Sequence, residues 1–344
     1  MTRRTLLATA AAAPLAEVNV SAAGPSLIKP AALREGDTVG LITPSTGVFD
    51  PETLQLVDRM LKYFKLQGKW GKNVKHKFGY VGGSVRERLD DLHDAFRDPA
   101  VKAVFPLRGG YGAAQLLNLI DYNLIRANPK IFVGYSDITA LHLAIHQRTG
   151  LVTFHGPVVL SHFGDYTEKH FRQALFQTAP IGSVTNPPDS SALRPEHMLR
   201  TIRPGKARGQ LIGGNLTLIS TTMGTVYEMD TRGKIVFIED VGEEPYRIDR
   251  MLTQLRLSGK LDSAAGLIFG ECADCRPNDY KPSFNTSGFT LGEVVDNLLG
   301  DLRIPVLAGL TIGHTNDQLT LPLGVMATLD ADKGELVIEE SAVR

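Results

Sequence analysis

Between residues 130 and 142 the chain runs Lys130-Ile131-Phe132-Val133-Gly134-Tyr135-Ser136-Asp137-Ile138-Thr139-Ala140-Leu141-His142. An apolar β-type run stops at Gly134, and a helical pattern opens just past Ser136. Ile138, Leu141, His142 and Ile145 fall at i, i+3, i+4 and i+7, and Gly150 supplies a C-terminal stop. Ser136 is therefore expected on a strand-to-helix turn, beside backbone N–H groups that have no partner inside the helix. A hydroxyl there can be aimed at a substrate, while the N–H groups and the positive end of the helix dipole stabilise an oxyanion. The same spacing fits a serine N-cap, whose oxygen accepts an N–H two or three residues on. A nucleophile would need a base and an acid from elsewhere in the chain.

Upstream, Thr38–Thr43 reads as a strand closed by Pro44-Ser45-Thr46-Gly47, and a helix follows around 51–64 with Leu54, Val57, Leu61 and Phe64 on one face. Ser84-Val85-Arg86-Glu87 has the form of a capping box, and Val101–Leu107 reads as a buried strand. Arg108-Gly109-Gly110-Tyr111-Gly112 comes straight after it. This loop lacks the third glycine of a dinucleotide fingerprint and the Gly-Lys-Ser/Thr of a phosphate loop. It is either a turn that lets a helix start or a ligand-facing loop that offers a second oxyanion donor, with Arg108 available to hold a carboxylate. With the Ser136 unit and a short strand at Leu151–Phe154, the alternation predicts a parallel sheet with helices on both faces.

Downstream, composition changes after about Leu160, and 161–207 reads as a surface linker. A second α/β unit, 208–344, begins at Gly209-Gln210-Leu211-Ile212-Gly213-Gly214-Asn215-Leu216. It contains the strand Lys234–Asp240, a helix opened by Pro245, a strand at Gly266–Gly270, a helix capped by Thr290, the strand Pro305–Leu310 and a C-terminal β-meander. Glu239 is the first acid after a run of apolar strand residues and His314 follows the end of a strand. Open α/β sheets place ligand sites at such C-terminal edges. Both also have ordinary readings, as a strand-end acid paired with Arg247 or Arg250 and as a hydrogen-bonded loop histidine.

The 344 residues suffice for about two domains, and Lys plus Arg balance Asp plus Glu at 37 each. No basic stripe marks a nucleic-acid surface. Aromatic residues are sparse, and no stacking platform for sugars or bases is evident. Residues 1–23 start with Arg3-Arg4 and an Ala-rich apolar run too short to span a bilayer, and read as a removable twin-arginine signal with a cleavage site around Ser21-Ala22-Ala23. The expected location is therefore periplasmic, or cytoplasmic should the signal not function. Cys272 and Cys275 form a single Cys-x-x-Cys pair without the second ligand pair of a zinc site or a thioredoxin-like context, and a local disulfide or two inert thiols is expected ahead of a redox dithiol. His142 and His146 lie one helical turn apart without a zincin glutamate, so no metal site is expected there.

Taken together, Gly134–His142, Phe105–Gly112, Gly213-Gly214-Asn215-Leu216, Ile238–Glu243 and Gly313-His314-Thr315 resemble, in order, the motifs of the LD-carboxypeptidase family of serine peptidases. That family holds the murein tetrapeptide carboxypeptidases and the microcin C immunity proteins. The resemblance runs from about Ile28 to Leu336. It implies an N-terminal flavodoxin-like parallel sheet (24–160), a smaller C-terminal α/β domain (208–344), and a site between them. It further implies Ser136 as nucleophile, Glu239 as acid and His314 as base. Asp137 and Gly110 would form the oxyanion hole, with Arg108, Gly109 and Tyr111 binding substrate. No cofactor or metal is implied. Homodimers are, with a peptidoglycan stem peptide or muropeptide as the molecular partner. The implied reaction is hydrolysis of the L,D-amide bond to a terminal D-alanine. The alternatives are cleavage of a peptide–nucleotide antibiotic and, in another class, an exported solute-binding protein without catalysis.

Overall fold

The computed structural model describes residues 25–188, 193, 196–277 and 288–344. The expected signal at 1–23 lies outside these residues. The first half runs β1 (Thr38–Ile42), α1 (Pro51–Tyr63), β2 (Gln67–Trp70), α2 (Val85–Arg97), β3 (Val101–Pro106), α3 (Tyr122–Ala127), β4 (Ile131–Gly134), α4 (Thr139–Thr149) and β5 (Phe154–His155). The second runs α5 (Asp165–Phe176), β6 (Gly182–Val184), β7 (Arg200–Arg203), β8 (Lys206–Asn215), α6 (Leu216–Thr222), β9 (Ile235–Glu239), α7 (Pro245–Leu257), β10 (Gly266–Gly270), α8 (Leu291–Leu299), β11 (Val306–Leu310), β12 (Leu321–Pro322), β13 (Met326–Asp330) and β14 (Glu335–Ile338).

Local chemistry explains the helix starts. Asp50 accepts from Thr53 N–H ahead of α1, with Pro51 in the first turn, where a missing N–H costs nothing. Ser84 with Glu87, and Thr290 with Glu293, close reciprocal capping boxes on α2 and α8. α4 departs from the amphipathic expectation: every residue from Thr139 to Ile145 is buried, because the helix packs between the sheets against β8 and α6 as well as β5.

The strands form two sheets. The first, six-stranded, has the order β12-β5-β4-β3-β1-β2, parallel throughout except for β12. The second, eight-stranded, has the order β6-β14-β13-β8-β9-β10-β11-β7, with a parallel centre of β8, β9, β10 and β11. The loops discussed below follow the C-terminal ends of these parallel strands, the edge at which open α/β sheets place ligand sites.

Two sequence expectations need correction. The described part of 161–207 is no surface linker: α5 buries Phe171, Ala174 and Leu175 in the core, and β6 and β7 flank the second sheet. Leu321–Pro322 also leaves the expected C-terminal meander. It pairs antiparallel with β5, Leu321 opposite His155, and so extends the first sheet from within the second half of the chain.

Candidate active site

Ser136 stands two residues past β4 at the head of a 3₁₀ turn, Ser136–Ile138, which leads into α4. Its φ is +62°, a left-handed conformation that costs a non-glycine residue about 1–2 kcal/mol. The N-cap reading is therefore set aside: no side chain caps this turn or α4, and among the described residues the Ser136 hydroxyl makes no hydrogen bond. A strained backbone holding an unbonded hydroxyl marks a functional position.

The Gly-rich loop after β3 lies directly against it. A Cβ on Gly109 would fall 2.9 Å from Ser136 Cβ, so only glycine allows this approach. Gly110, at φ +113°, is packed equally tightly on Thr46, whose Oγ1 accepts from Tyr111 N–H at 3.1 Å. Asp137 ties the loops together from beneath. Its buried carboxylate accepts from the Ser45 hydroxyl at 2.6 Å and from Ala113 N–H at 2.7 Å. Arg88, also buried, donates to Pro44 O at 2.8 Å, Gly112 O at 2.9 Å and Gln115 Oε1 at 2.6 Å. Burial lowers the Arg88 pKa, and the charge of Asp137 opposes that shift. Ser45, Thr46 and Arg88 were missed from sequence because a scaffold of loop-to-loop bonds has no periodicity to read.

Glu239 is the last residue of β9 and is fully buried. His314 sits four residues past the end of β11, and its Nδ1 lies 2.8 Å from Glu239 Oε2. Gly313 permits this: a Cβ there would fall 2.2 Å from that carboxylate oxygen. The imidazole also packs against the Tyr135 ring, with centroids 4.7 Å apart. Burial raises the Tyr135 hydroxyl pKa, and the nearby Glu239 charge pushes the same way. Behind them, His155 Nε2 lies 2.6 Å from Ile312 O and so anchors the approach to His314. Burial depresses the His155 pKa to about 4, so the ring is neutral at pH 7 and its Nε2–H donates.

Ser136, His314, Tyr135, Arg108, Gly109 and Gly110 line one cleft of about 640 Å³, whose lining also includes Gly47–Asp50 and Thr53. Tyr111 is outside this lining, on the rim. Arg108 is exposed and makes no ion pair among the described residues, which leaves its charge for a ligand. The cleft thus presents a serine hydroxyl, an acid-oriented imidazole and N–H groups at the start of a helical turn, the parts of a nucleophilic acyl-transfer site.

Models of the LD-carboxypeptidase N-terminal and C-terminal domains match residues 39–156 and 208–329. The probable murein peptide carboxypeptidase of Bacillus subtilis is 44% identical, covering 90% of this chain and 94% of that protein. The chain belongs to the LD-carboxypeptidase family. The murein tetrapeptide carboxypeptidase of Pseudomonas aeruginosa is 31% identical, covering 86% of this chain and 94% of that protein. The microcin immunity protein MccF, solved with glutamyl sulfamoyl guanosine, superposes with a TM-score of 0.81 at 29% identity, covering 92% of this chain and 99% of that one. The protein is accordingly a hydrolase of the carboxypeptidase class.

In this carboxypeptidase the halves meet through the Gly213–Leu216 segment. Asn215, opposite Glu239 in the β8–β9 register, donates its N–H to Thr139 Oγ1 at 3.0 Å and its side-chain amide to Asp240 at 3.0 Å. His142 and His146 are structural: their ring nitrogens bond Gly134 O at 2.7 Å and Leu151 O at 3.0 Å. Cys272 and Cys275 are free thiols, with Ala273 bridged to Val241 just past Glu239.

Proposed function

We propose that this enzyme is an LD-carboxypeptidase that removes the terminal D-alanine from peptidoglycan tetrapeptides through Ser136, His314 and Glu239. The observation that carries the reading is the 2.8 Å contact from His314 Nδ1 to buried Glu239, in the cleft that holds the unbonded hydroxyl of Ser136. With Nδ1–H donating to Glu239, Nε2 is the nitrogen left to take the Ser136 proton. Ser136 attacks the carbonyl of the L,D-amide, and the N–H groups of Asp137 and Gly110 stabilise the oxyanion. His314 returns the proton to the leaving amine of D-alanine, and water, activated by the same imidazole, resolves the acyl-enzyme. Arg108 pairs with the substrate's free carboxylate, the group that distinguishes a chain end from an internal amide.

The likeness to MccF favours a second reading, cleavage of an acyl-sulfamoyl nucleoside by the same relay. Incubation with a disaccharide-tetrapeptide and with an acyl-sulfamoyl adenylate, products read by mass spectrometry, separates the two. Loss of D-alanine from the first alone supports the murein reading, and cleavage of the second alone replaces it. Ser136→Ala is expected to abolish release while the far-ultraviolet circular dichroism stays unchanged. We further propose export through the twin-arginine segment, checked by fractionation of cells carrying Arg3→Lys/Arg4→Lys, and assembly as a homodimer, checked by light scattering.

A further inference from the structure

Phe49 lines the Ser136 cleft, Tyr111 follows its lining residue Gly110, and further exposed aromatic rings lie on the neighbouring loops. Phe49, Phe78, Tyr80 and Tyr111 are 42%, 67%, 67% and 56% exposed, although they sit in separate stretches of sequence. Their loops are joined: Thr46 Oγ1 holds Tyr111 N–H, and Tyr80 and Tyr111 pack edge to face with centroids 5.2 Å apart. Clustered exposed rings next to a ligand cleft mark a contact surface, since isolated apolar side chains need no neighbours.

The rings are held firmly. Tyr80 rides on a tight turn closed by reciprocal bonds between Phe78 and Val81, both 3.1 Å, with Gly79 at φ +60°. The Phe49 ring folds over Gly47 so closely that a Cβ there would lie 2.2 Å from it, and Lys77 Nζ sits 5.5 Å from its centroid. Surfaces fixed before binding lose little entropy on contact.

We propose that Phe49, Tyr80 and Tyr111 form a saccharide subsite that takes the muramyl end of the substrate, an inference that rests on the murein reading above. Shape favours a sugar. The Tyr80 and Tyr111 planes meet at 72°, which makes a corner of one face and one edge. A puckered pyranose, with C–H groups on one side and hydroxyls around its rim, fits such a corner beside phenolic hydroxyls, whereas a flat nucleobase is held by stacking along a ring face. Reach also agrees. Gly109 touches Ser136, and Tyr111 lies two residues on, a span of at most about 7 Å plus the reach of its ring. The stem residues between the scissile bond and the sugar, as an extended tripeptide, span about 10 Å.

The test uses full-length protein carrying Ser136→Ala, so that binding is read without turnover. Affinities for a disaccharide-tetrapeptide and for the free tetrapeptide are measured by calorimetry, with and without Tyr80→Ala, Tyr111→Ala or Phe49→Ala. The sugar-bearing ligand is expected to bind about tenfold more tightly, an advantage of about 1.4 kcal/mol. Each alanine variant should shrink that ratio towards one, and Tyr80→Phe should keep most of it. A ratio near one in the parent, or a ratio the alanine variants leave unchanged, overturns the subsite. If an acyl-sulfamoyl adenylate instead loses affinity in the variants and the sugar ratio does not change, the platform is a base-stacking surface and the inference is wrong. Failure of the murein reading looks different: the enzyme with Ser136 intact would release D-alanine from neither ligand, and that result removes the subsite along with the reading.

Discussion

Gly313→Ala isolates the contact on which the proposed relay depends. The backbone at Gly313 is not left-handed, so alanine brings no conformational strain, only a methyl group. That methyl would stand 2.2 Å from Glu239 Oε2 and 2.8 Å from Cδ, where ordinary contacts begin at 3.4 Å. The carboxylate must retreat by about 1 Å, and full burial leaves it no route to water. A retreat of that size takes the 2.8 Å bond to His314 beyond hydrogen-bond range. Misplacement by about 1 Å typically costs about 10²-fold in rate, and loss of the acid's hold on the imidazole as much as about 10⁴-fold. We therefore expect kcat for D-alanine release to fall between these values with KM little changed. Overpacking should lower stability by about 1–3 kcal/mol, followed by thermal unfolding. A folded variant that keeps at least half of the parent kcat would refute the claim that Glu239 orients His314 during turnover.

The other expectations concern strain, charge and pH. Ser136→Gly should abolish turnover yet stabilise the fold by about 0.5–1 kcal/mol in urea unfolding, because it relieves the φ of +62° against a glycine entropy cost; Ser136→Ala should give no such gain. Arg108→Ala should raise KM about tenfold for a substrate with a free terminal carboxylate and leave an amidated analogue unaffected, a difference read in parallel steady-state assays. Burial lowers the His142 and His155 pKa values to about 4, below those of an unfolded chain, so the unfolded state binds more protons. Stability should then be full above about pH 6.5 and fall as pH drops towards 4. Urea titrations at pH 6.5 and 4.5 test this, and His142→Gln should flatten the slope.

The elements that sequence revealed are those whose signal is local. Capping boxes at Ser84 and Thr290, the apolar stripe of α1 and the Gly134–Ser136 turn each depend on neighbours within a few residues, so the chain spells them out. Ser136, Glu239 and His314 could each be placed at a strand end by pattern, and the family resemblance supplied their roles. Three features were not legible. α5 was hidden because its burial comes from distant partners such as Phe64, to which Phe171 packs. The turn of Leu321–Pro322 into the other sheet is a long-range pairing on a run of two residues, too short for any periodicity. The aromatic platform was dismissed from composition because sparse rings can still be gathered by folding.

The short strand β12 has a mechanical consequence. It leaves the segment that carries His314 and zips onto β5 beside the Ser136 unit, so the two halves of the molecule share a sheet. A clamshell swing would have to peel that pairing apart, along with the Leu323 N–H bond to Thr153 O at 2.8 Å. The segments that carry the imidazole and the hydroxyl are thus laced to a common frame. Selection among substrates falls to the walls and threshold of a standing aperture, and altering those walls is the direct way to redirect the enzyme.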